Sequence, residues 1–97
     1  MYVVYGQIHL FLPLSSSLKD KRQTIQSIII RIRKRFSVSI CEVNHHDLWQ
    51  RSALGFAASC NTYAETDMIL DSIHKTLEYY ADECEVIDLN WELINDQ

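Results

Sequence analysis

Seven of the nine lysine and arginine residues lie in one segment, residues 19–35, which holds a single acid. The seven are Lys19, Lys21, Arg22, Arg31, Arg33, Lys34 and Arg35. Residues 61–97 have the opposite balance, with ten of the thirteen acids and one base. A row of cations binds a phosphate backbone because each neutralised phosphate releases condensed counterions. This segregation of charge indicates an anion-binding segment, with RNA phosphate as the expected ligand.

Two structural explanations of the same cations stay open. Cations in a last helical turn complement the helix dipole, which would account for the three basic residues at 33–35. An acidic second helix packed beside the basic segment would also neutralise it. At the other end of the segment, free backbone N–H groups beside Lys19, Lys21 and Arg22 predict a local anion site.

A second candidate group contains residue types that bind metals or take part in hydrolysis. It is Cys41, Glu42, His45, His46 and Asp47. Zinc takes four ligands in tetrahedral reach, whereas adjacent histidines in an extended loop point apart. A nucleophilic serine or cysteine would need a glycine-rich turn, and the sequence has none. The sequence therefore predicts no metal site, no cofactor and no catalytic residue.

The segment 44–50 also has a structural interpretation, as an ordered polar loop. In that interpretation Trp49 covers the edge of the core. Asp47 would then pair with Arg51 or cap the loop backbone.

Alternating strand and helix signals show how these residues are positioned. Period-two alternation predicts strands over 2–12, 37–43, 51–60 and 85–94. Apolar stripes at helical spacing, each begun by a Ser or Thr cap, predict helices over 17–35 and 62–82. This order predicts one α+β domain over 1–97, a ferredoxin-like βαββαβ sandwich. Its four-stranded antiparallel sheet has the order 4-1-3-2, and both helices cover one face.

This topology brings three loops to one end of the sheet, at 13–22, 44–51 and 82–85. We therefore expect Arg51 and His45 to lie beside the start of the first helix. The two residues would complete the predicted anion site there.

The second face of the sheet has no helix to cover it, and we expect apolar residues on it. Tyr5, His9, Phe11 and Val43 lie on this face in the predicted register, together with Val86. RNA-recognition motifs of this topology stack bases on aromatic residues of the first and third strands. The third strand has no aromatic residue on this face. Burial against a second copy accounts for the apolar area, so the sequence predicts a homodimer.

Cysteine usage and the absence of apolar runs predict the compartment. The sequence has three cysteines, an odd number, and each has apolar neighbours. This predicts three buried, reduced and unpaired thiols, at Cys41, Cys60 and Cys84. No basic leader precedes an apolar run, and no run approaches the roughly 20 apolar residues of a membrane helix. The expected location is the cytoplasm, without a membrane partner.

Several short runs of this sequence are similar to those of a known family. They are Ser17–Arg22, Phe36–Ile40, Glu42-Val43, Asp47–Arg51 and Leu54-Gly55. The run Asp-Leu-Trp-Gln-Arg is the most specific, because no general rule of packing requires it. On these residues the chain resembles the YlxP-like bacterial family, a domain of unknown function. Asn44 and His46 stand where the family pattern has Asp and Gln, while His45 matches it.

The resemblance implies a ferredoxin-like fold and no defined activity. Genes of this family often lie near those of ribosome maturation and translation initiation, which implies RNA or the ribosome as a partner.

Our leading hypothesis is a non-catalytic module that associates with RNA or the ribosome. Its phosphate contacts would be Lys19, Lys21, Arg22, Arg31, Lys34, Arg35 and Arg51. Its contacts to bases would come from the loop residues His45, Asp47, Trp49 and Gln50. One alternative is a homodimeric protein-interaction adaptor, and another is a small metal-dependent or hydrolytic enzyme using the loop at 45–47.

Overall fold

A computed structural model describes residues 1–96 of the chain. Its elements are β1 (Tyr2–Phe11), α1 (Leu18–Arg35), β2 (Ser39–Asn44), β3 (Arg51–Cys60), α2 (Tyr63–Tyr79) and β4 (Glu85–Asn95). The strands form an antiparallel sheet of order β2-β3-β1-β4. This arrangement confirms the predicted βαββαβ sandwich and its strand order.

The helix starts follow from the predicted caps. The side-chain oxygen of Ser17 accepts a hydrogen bond from the Asp20 N–H at 3.0 Å, and that of Thr62 accepts one from the Glu65 N–H at 3.2 Å. These bonds satisfy N–H groups that have no partner within the helix. Both helices therefore begin within one residue of their predicted starts.

The second helix ends three residues earlier than predicted, at Tyr79 instead of residue 82. The N–H of Tyr80 is shared between the carbonyls of Thr76 and Leu77, and a turn follows. Asp82 and Glu83 come next, and negative charge at a helix C-terminus is unfavourable because it opposes the dipole. The acidic residues therefore disfavour continuation of the helix beyond this turn.

The core lies between the helices and one face of the sheet. Val4, Ile8 and Leu10 of β1 point into it and are fully buried, as their period-two spacing predicts. Apolar residues of both helices belong to the same buried cluster, including Ile28 and Ile73. Both helices therefore cover one face, as predicted.

Strand β4 is the least covered element of the sheet. Its burial is limited to Leu89 and Leu93, which are partly buried against the core. Trp91 and Ile87 of the same strand are exposed, at 42% and 49%. The reason is that α2 packs over β1 and β3 and leaves β4 without a helix above it.

A register shift in the β1–β4 ladder corrects one predicted side-chain position. His9 pairs with Asp88 and Leu10 pairs with Val86, so Ile87 is an extra residue in β4. Such a bulge exchanges the faces of the residues beyond it. Val86 therefore lies opposite the core residue Leu10, on the helix side, and not on the bare face.

Candidate anion-binding surface and the β2–β3 loop

Lys21 lies inside the protein, with only 1% of its surface exposed. Its Nζ donates to the carbonyl oxygens of His45 at 2.8 Å, His46 at 3.1 Å and Arg51 at 3.3 Å. The same atom lies 3.1 Å from the Glu42 carboxylate. An ammonium group has three protons, and these acceptors use them all. We predicted that Lys21 contacts phosphate from the helix surface. The structure places it in the interior instead, where its protons are already used.

The buried lysine ties the start of α1 to the β2–β3 loop. Gln50 adds a second tie, because its Nε2 donates to the carbonyls of Pro13 at 3.1 Å and Ser15 at 3.3 Å. Glu83 lines a small cavity at the same end, together with Leu12. The three loops therefore meet as the topology predicts.

The tip of this loop faces solvent. His45 has a left-handed backbone, with φ of 63°, and its carbonyl accepts from the Leu48 N–H at 3.1 Å. Trp49 is 55% exposed and Leu48 is 48% exposed, so Trp49 does not cover the core edge as expected. Lys21 and its acceptors fill the space beneath the loop. Within residues 1–96, Asp47 forms no ion pair with a basic residue.

The start of α1 carries its own anion. The Asp20 carboxylate accepts hydrogen bonds from the Ser16 hydroxyl at 2.7 Å and from the Ser16 N–H at 3.1 Å. These two bonds hold the pKa of Asp20 below its ordinary value. A negative charge at this position also suits the helix dipole. The side chains left free at this end are those of Lys19 and Arg22, which are exposed.

The cations of α1 are not neutralised by α2. In the part of the chain that the structure describes, the ion pairs are Lys21–Glu42 and Lys75–Asp71. Seven exposed bases have no ion-pair partner there: Arg33, whose guanidinium bonds a backbone carbonyl, and Lys19, Arg22, Arg31, Lys34, Arg35 and Arg51. Intramolecular pairing between the helices, one of the two structural explanations, does not account for them.

Three of these free cations line a groove between the helices. Arg31, Lys34 and Arg35 come from α1, and Lys75 faces them from α2, around a cavity of about 430 Å³. The guanidinium carbon of Arg31 lies 3.7 Å from the centroid of the Tyr79 ring. A guanidinium held over a ring face keeps its N–H donors available at its edge. Asp71 also lines the groove and pairs with Lys75 at 2.9 Å, so the three cations of α1 are the ones that can receive an anionic group.

The predicted basic surface is divided into two groups of cations. The groove group is Arg31, Lys34 and Arg35, and the loop-end group is Lys19, Arg22 and Arg51. Arg22 and Arg35 are 13 residues apart, which is about 20 Å along a helix that rises 1.5 Å per residue. Arg33 is used within the fold, since its Nη2 donates to the Ile40 carbonyl at 2.7 Å.

Sequence reasoning missed two members of the groove, Lys75 and Tyr79. Tyr79 lies off the apolar stripe of its helix, and Lys75 is the one base of the acidic segment. The unusual position of the tyrosine and the isolated charge of the lysine can both be seen in the sequence. They point to the groove only when the two helices are placed side by side.

The bare face of the sheet contains a shallow trough. Gly55 and Ala57 lie at its floor, and the exposed side chains of Tyr5 and Val43 border a volume of about 600 Å³. The Tyr5 hydroxyl donates to the Glu92 carboxylate at 2.6 Å, and this bond raises the pKa of Tyr5. The other two residues expected on this face, His9 and Phe11, are half-buried.

The cysteines are unpaired, but only two are buried. Cys60 and Cys84 lie in the core, and burial raises the pKa of the Cys84 thiol. Cys41 is exposed on the bare face, so the prediction of a third buried thiol is wrong. Within residues 1–96, no three His, Cys, Asp or Glu side chains are grouped closely enough to hold a metal ion. No helix among these residues is both long and apolar enough to cross a membrane.

Comparison with known proteins identifies relatives by sequence and by fold. A family model described as "Protein of unknown function (DUF503)" matches residues 3–91. The Bacillus subtilis (strain 168) "Uncharacterized protein YlxP" is 36% identical over 59 residues, which is 61% of this chain. The chain spans 64% of the length of that relative.

Two solved structures show the same fold. A de novo designed protein with ferredoxin fold, LFR1 1, has a TM-score of 0.58 at 11% identity over 99% of this chain and 88% of its own. SnoaB, a cofactor-independent oxygenase from Streptomyces nogalater, has a TM-score of 0.57 at 4% identity over 99% of this chain and 93% of its own. At these identities the likeness shows the ferredoxin-like fold alone.

Proposed function

We propose, starting from the fact that this chain belongs to the DUF503 family of unknown function, that it is a non-catalytic module that binds RNA. The observation that carries the proposal is the two groups of exposed cations, three in each, whose side chains have neither an ion-pair partner nor a carbonyl acceptor within residues 1–96. Cations of this kind supply the sequence-independent part of nucleic-acid affinity. Ribosomal RNA is the ligand to test first, and the expected location is the cytoplasm.

The exposed loop tip favours RNA with unpaired bases. Trp49 presents an exposed aromatic surface two residues before Arg51, and its loop backbone is held by Lys21 and Gln50. Stacking of an unpaired base on an aromatic side chain contributes about 1–3 kcal/mol. Sequence-specific RNA recognition mostly uses such splayed bases, in loops and single strands. The groove group would then bind the phosphates that follow, about 20 Å along α1.

Replacing Arg31, Lys34 and Arg35 together with alanine is expected to weaken RNA binding at least tenfold at low salt. Three phosphate contacts would be lost, so the log–log salt slope should fall by about 2, at roughly 0.7 per contact for a single strand. Trp49→Ala should weaken binding without changing the slope, because stacking releases no counterions. Fluorescence anisotropy with a labelled 16-nucleotide RNA and a ribosomal RNA hairpin measures both quantities.

The matched control for the loop variant is Trp91→Ala, which removes an exposed tryptophan far from the cations and should leave RNA affinity unchanged. Equal binding by the parent and the triple alanine variant would contradict the proposal. So would an affinity for RNA that does not depend on salt.

A second candidate function, a homodimeric adaptor, is favoured by the trough on the bare sheet face. Its small floor residues and exposed border would let a second copy approach closely. Val43→Lys places a charge at the border and is expected to weaken self-association at least tenfold. Sedimentation equilibrium measures the dimer constant, with Ile30→Lys on the outer face of α1 as the control. A parent chain that stays monomeric at millimolar concentration would exclude this function.

A further inference from the structure

The two edges of the sheet differ in how their backbones are capped. At the β2 edge, the Ile40 carbonyl accepts from Arg33 at 2.7 Å, and the Glu42 carbonyl lies 3.1 Å from His46 Nε2. At the β4 edge, no side chain or loop among residues 1–96 bonds to the outer backbone of Glu85–Asn95. Proteins normally blunt an edge of this length, because unpaired N–H and C=O groups recruit another strand. The β4 edge is therefore the one open to pairing.

The length available for pairing is set by the bulge. The extra residue Ile87 interrupts the regular backbone of β4, so the regular stretch runs from 88 to 95. Eight residues of extended backbone suit the length of a typical added strand.

The side chains beside this edge form an apolar surface with an acidic border. Leu77 of α2 and Ala81 of the turn after it face Val86 and Leu89 across a groove of about 360 Å³, which His74 of α2 also lines. The acids are Glu78 and Glu85 around the groove and Asp88 and Glu92 along the strand. The nearest lysine in sequence, Lys75, lies in the groove on the other side of α2. Apolar surface bordered by four acids, with no lysine or arginine among the residues that line it, suits an apolar and basic ligand.

We propose that the β4 edge binds an extended, basic segment of a partner protein as a fifth strand of the sheet. Main-chain hydrogen bonds to residues 88–95 would supply affinity, and alternate apolar side chains of the segment would pack beside Leu89, Trp91 and Leu93 on the helix side of the strand, with the groove at one end. A second copy of this chain fits less well, because antiparallel β4–β4 pairing centred near Asn90 sets Asp88 against Glu92. The surface is separate from the cations of α1, so this binding is independent of RNA.

A synthetic peptide tests this proposal directly. The probe is a fluorescein-labelled decapeptide of alternating valine and lysine, blocked at both ends, at 150 mM salt. We expect saturable binding, and we expect amides within 88–95 to exchange more slowly with solvent deuterium when the peptide is present. Asp88→Lys should weaken binding at least tenfold. Asp67→Lys, a charge reversal on the exposed side of α2, should change it by less than twofold.

Two control peptides separate strand addition from non-specific attraction between charges. A peptide with glutamate in place of lysine should not bind. A peptide with two central prolines, which lack N–H groups, should lose at least tenfold in affinity. The proposal is overturned if the proline peptide binds equally well, if no peptide slows exchange in β4, or if the chain alone dimerises through this edge.

Discussion

Replacing Lys21 with methionine is expected to cost about 3–5 kcal/mol of the free energy of unfolding. The methionine can fill much of the volume, but it leaves the loop carbonyls without the Lys21 ammonium and the Glu42 carboxylate without its counter-charge, with the Ser52 hydroxyl at 2.6 Å as its remaining donor. Removing one partner of a buried ion pair is costly, because the remaining charge stays desolvated. A domain of this size is stable by about 5–15 kcal/mol, so this is a large share.

Urea denaturation followed by circular dichroism measures the loss. Arg22→Ala is the matched control, because it removes a neighbouring but exposed cation and should change stability by less than about 0.5 kcal/mol. Combining Lys21→Met with Glu42→Gln should cost less than the sum of the two single changes, since the neutral amide needs no counter-charge. A loss below 1 kcal/mol for Lys21→Met would show that the interior lysine contributes little to stability.

Gly6→Ala is expected to destabilise the protein by about 1–3 kcal/mol or more. A Cβ at this position would overlap the Asn90 carbonyl oxygen and lie 2.8 Å from the Cα of Trp91. Both atoms belong to the β4 backbone, which can yield only by moving away from β1. The same displacement would disturb the open edge of the sheet.

Gly55→Ala is the control for this change. Its Cβ would meet a terminal methyl of Val43 at 2.7 Å, and that exposed side chain can rotate away. Replacing glycine also reduces the entropy of the unfolded chain, which offsets part of any cost. Thermal unfolding of the two variants compares them directly. Equal melting temperatures for both would show that β4 adjusts freely at Gly6.

The helices and strands could be predicted because their signals are local. Ser17 and Thr62 each cap a helix within three residues, and the alternation of β1 needs only its own ten residues. The loop cluster could be predicted from topology, which fixes where the strands end. The last residue of α2 was predicted less well, because the apolar stripe continues to Ala81, whereas the acids after it oppose the helix dipole.

The burial of Lys21 could not be predicted in the same way. On the helix alone it is a lysine beside an apolar stripe, like Arg22. Its acceptors are carbonyl oxygens 24 to 30 residues further along the chain, and their direction depends on the left-handed turn at His45. For the same reason we expected Trp49 to cover the core edge. The sequence does not show that the Lys21 side chain occupies the volume beneath the loop. The side of the sheet on which Val86 lies depends on a β-bulge, and no residue pattern in the sequence predicts that bulge.

The attachment of the β2–β3 loop to α1 has a consequence for recognition. A connecting loop is usually the least stable part of a domain, and a ligand that orders it loses part of the binding energy in doing so. Here the lysine ammonium joins the loop backbone to the helix that carries the core isoleucines, so the loop opens only when these buried hydrogen bonds are broken. The backbone on both sides of Trp49 is thus pre-organised before any ligand arrives. A partner that stacks on this tryptophan would order its side chain but not the loop backbone, which limits the conformational entropy lost on contact.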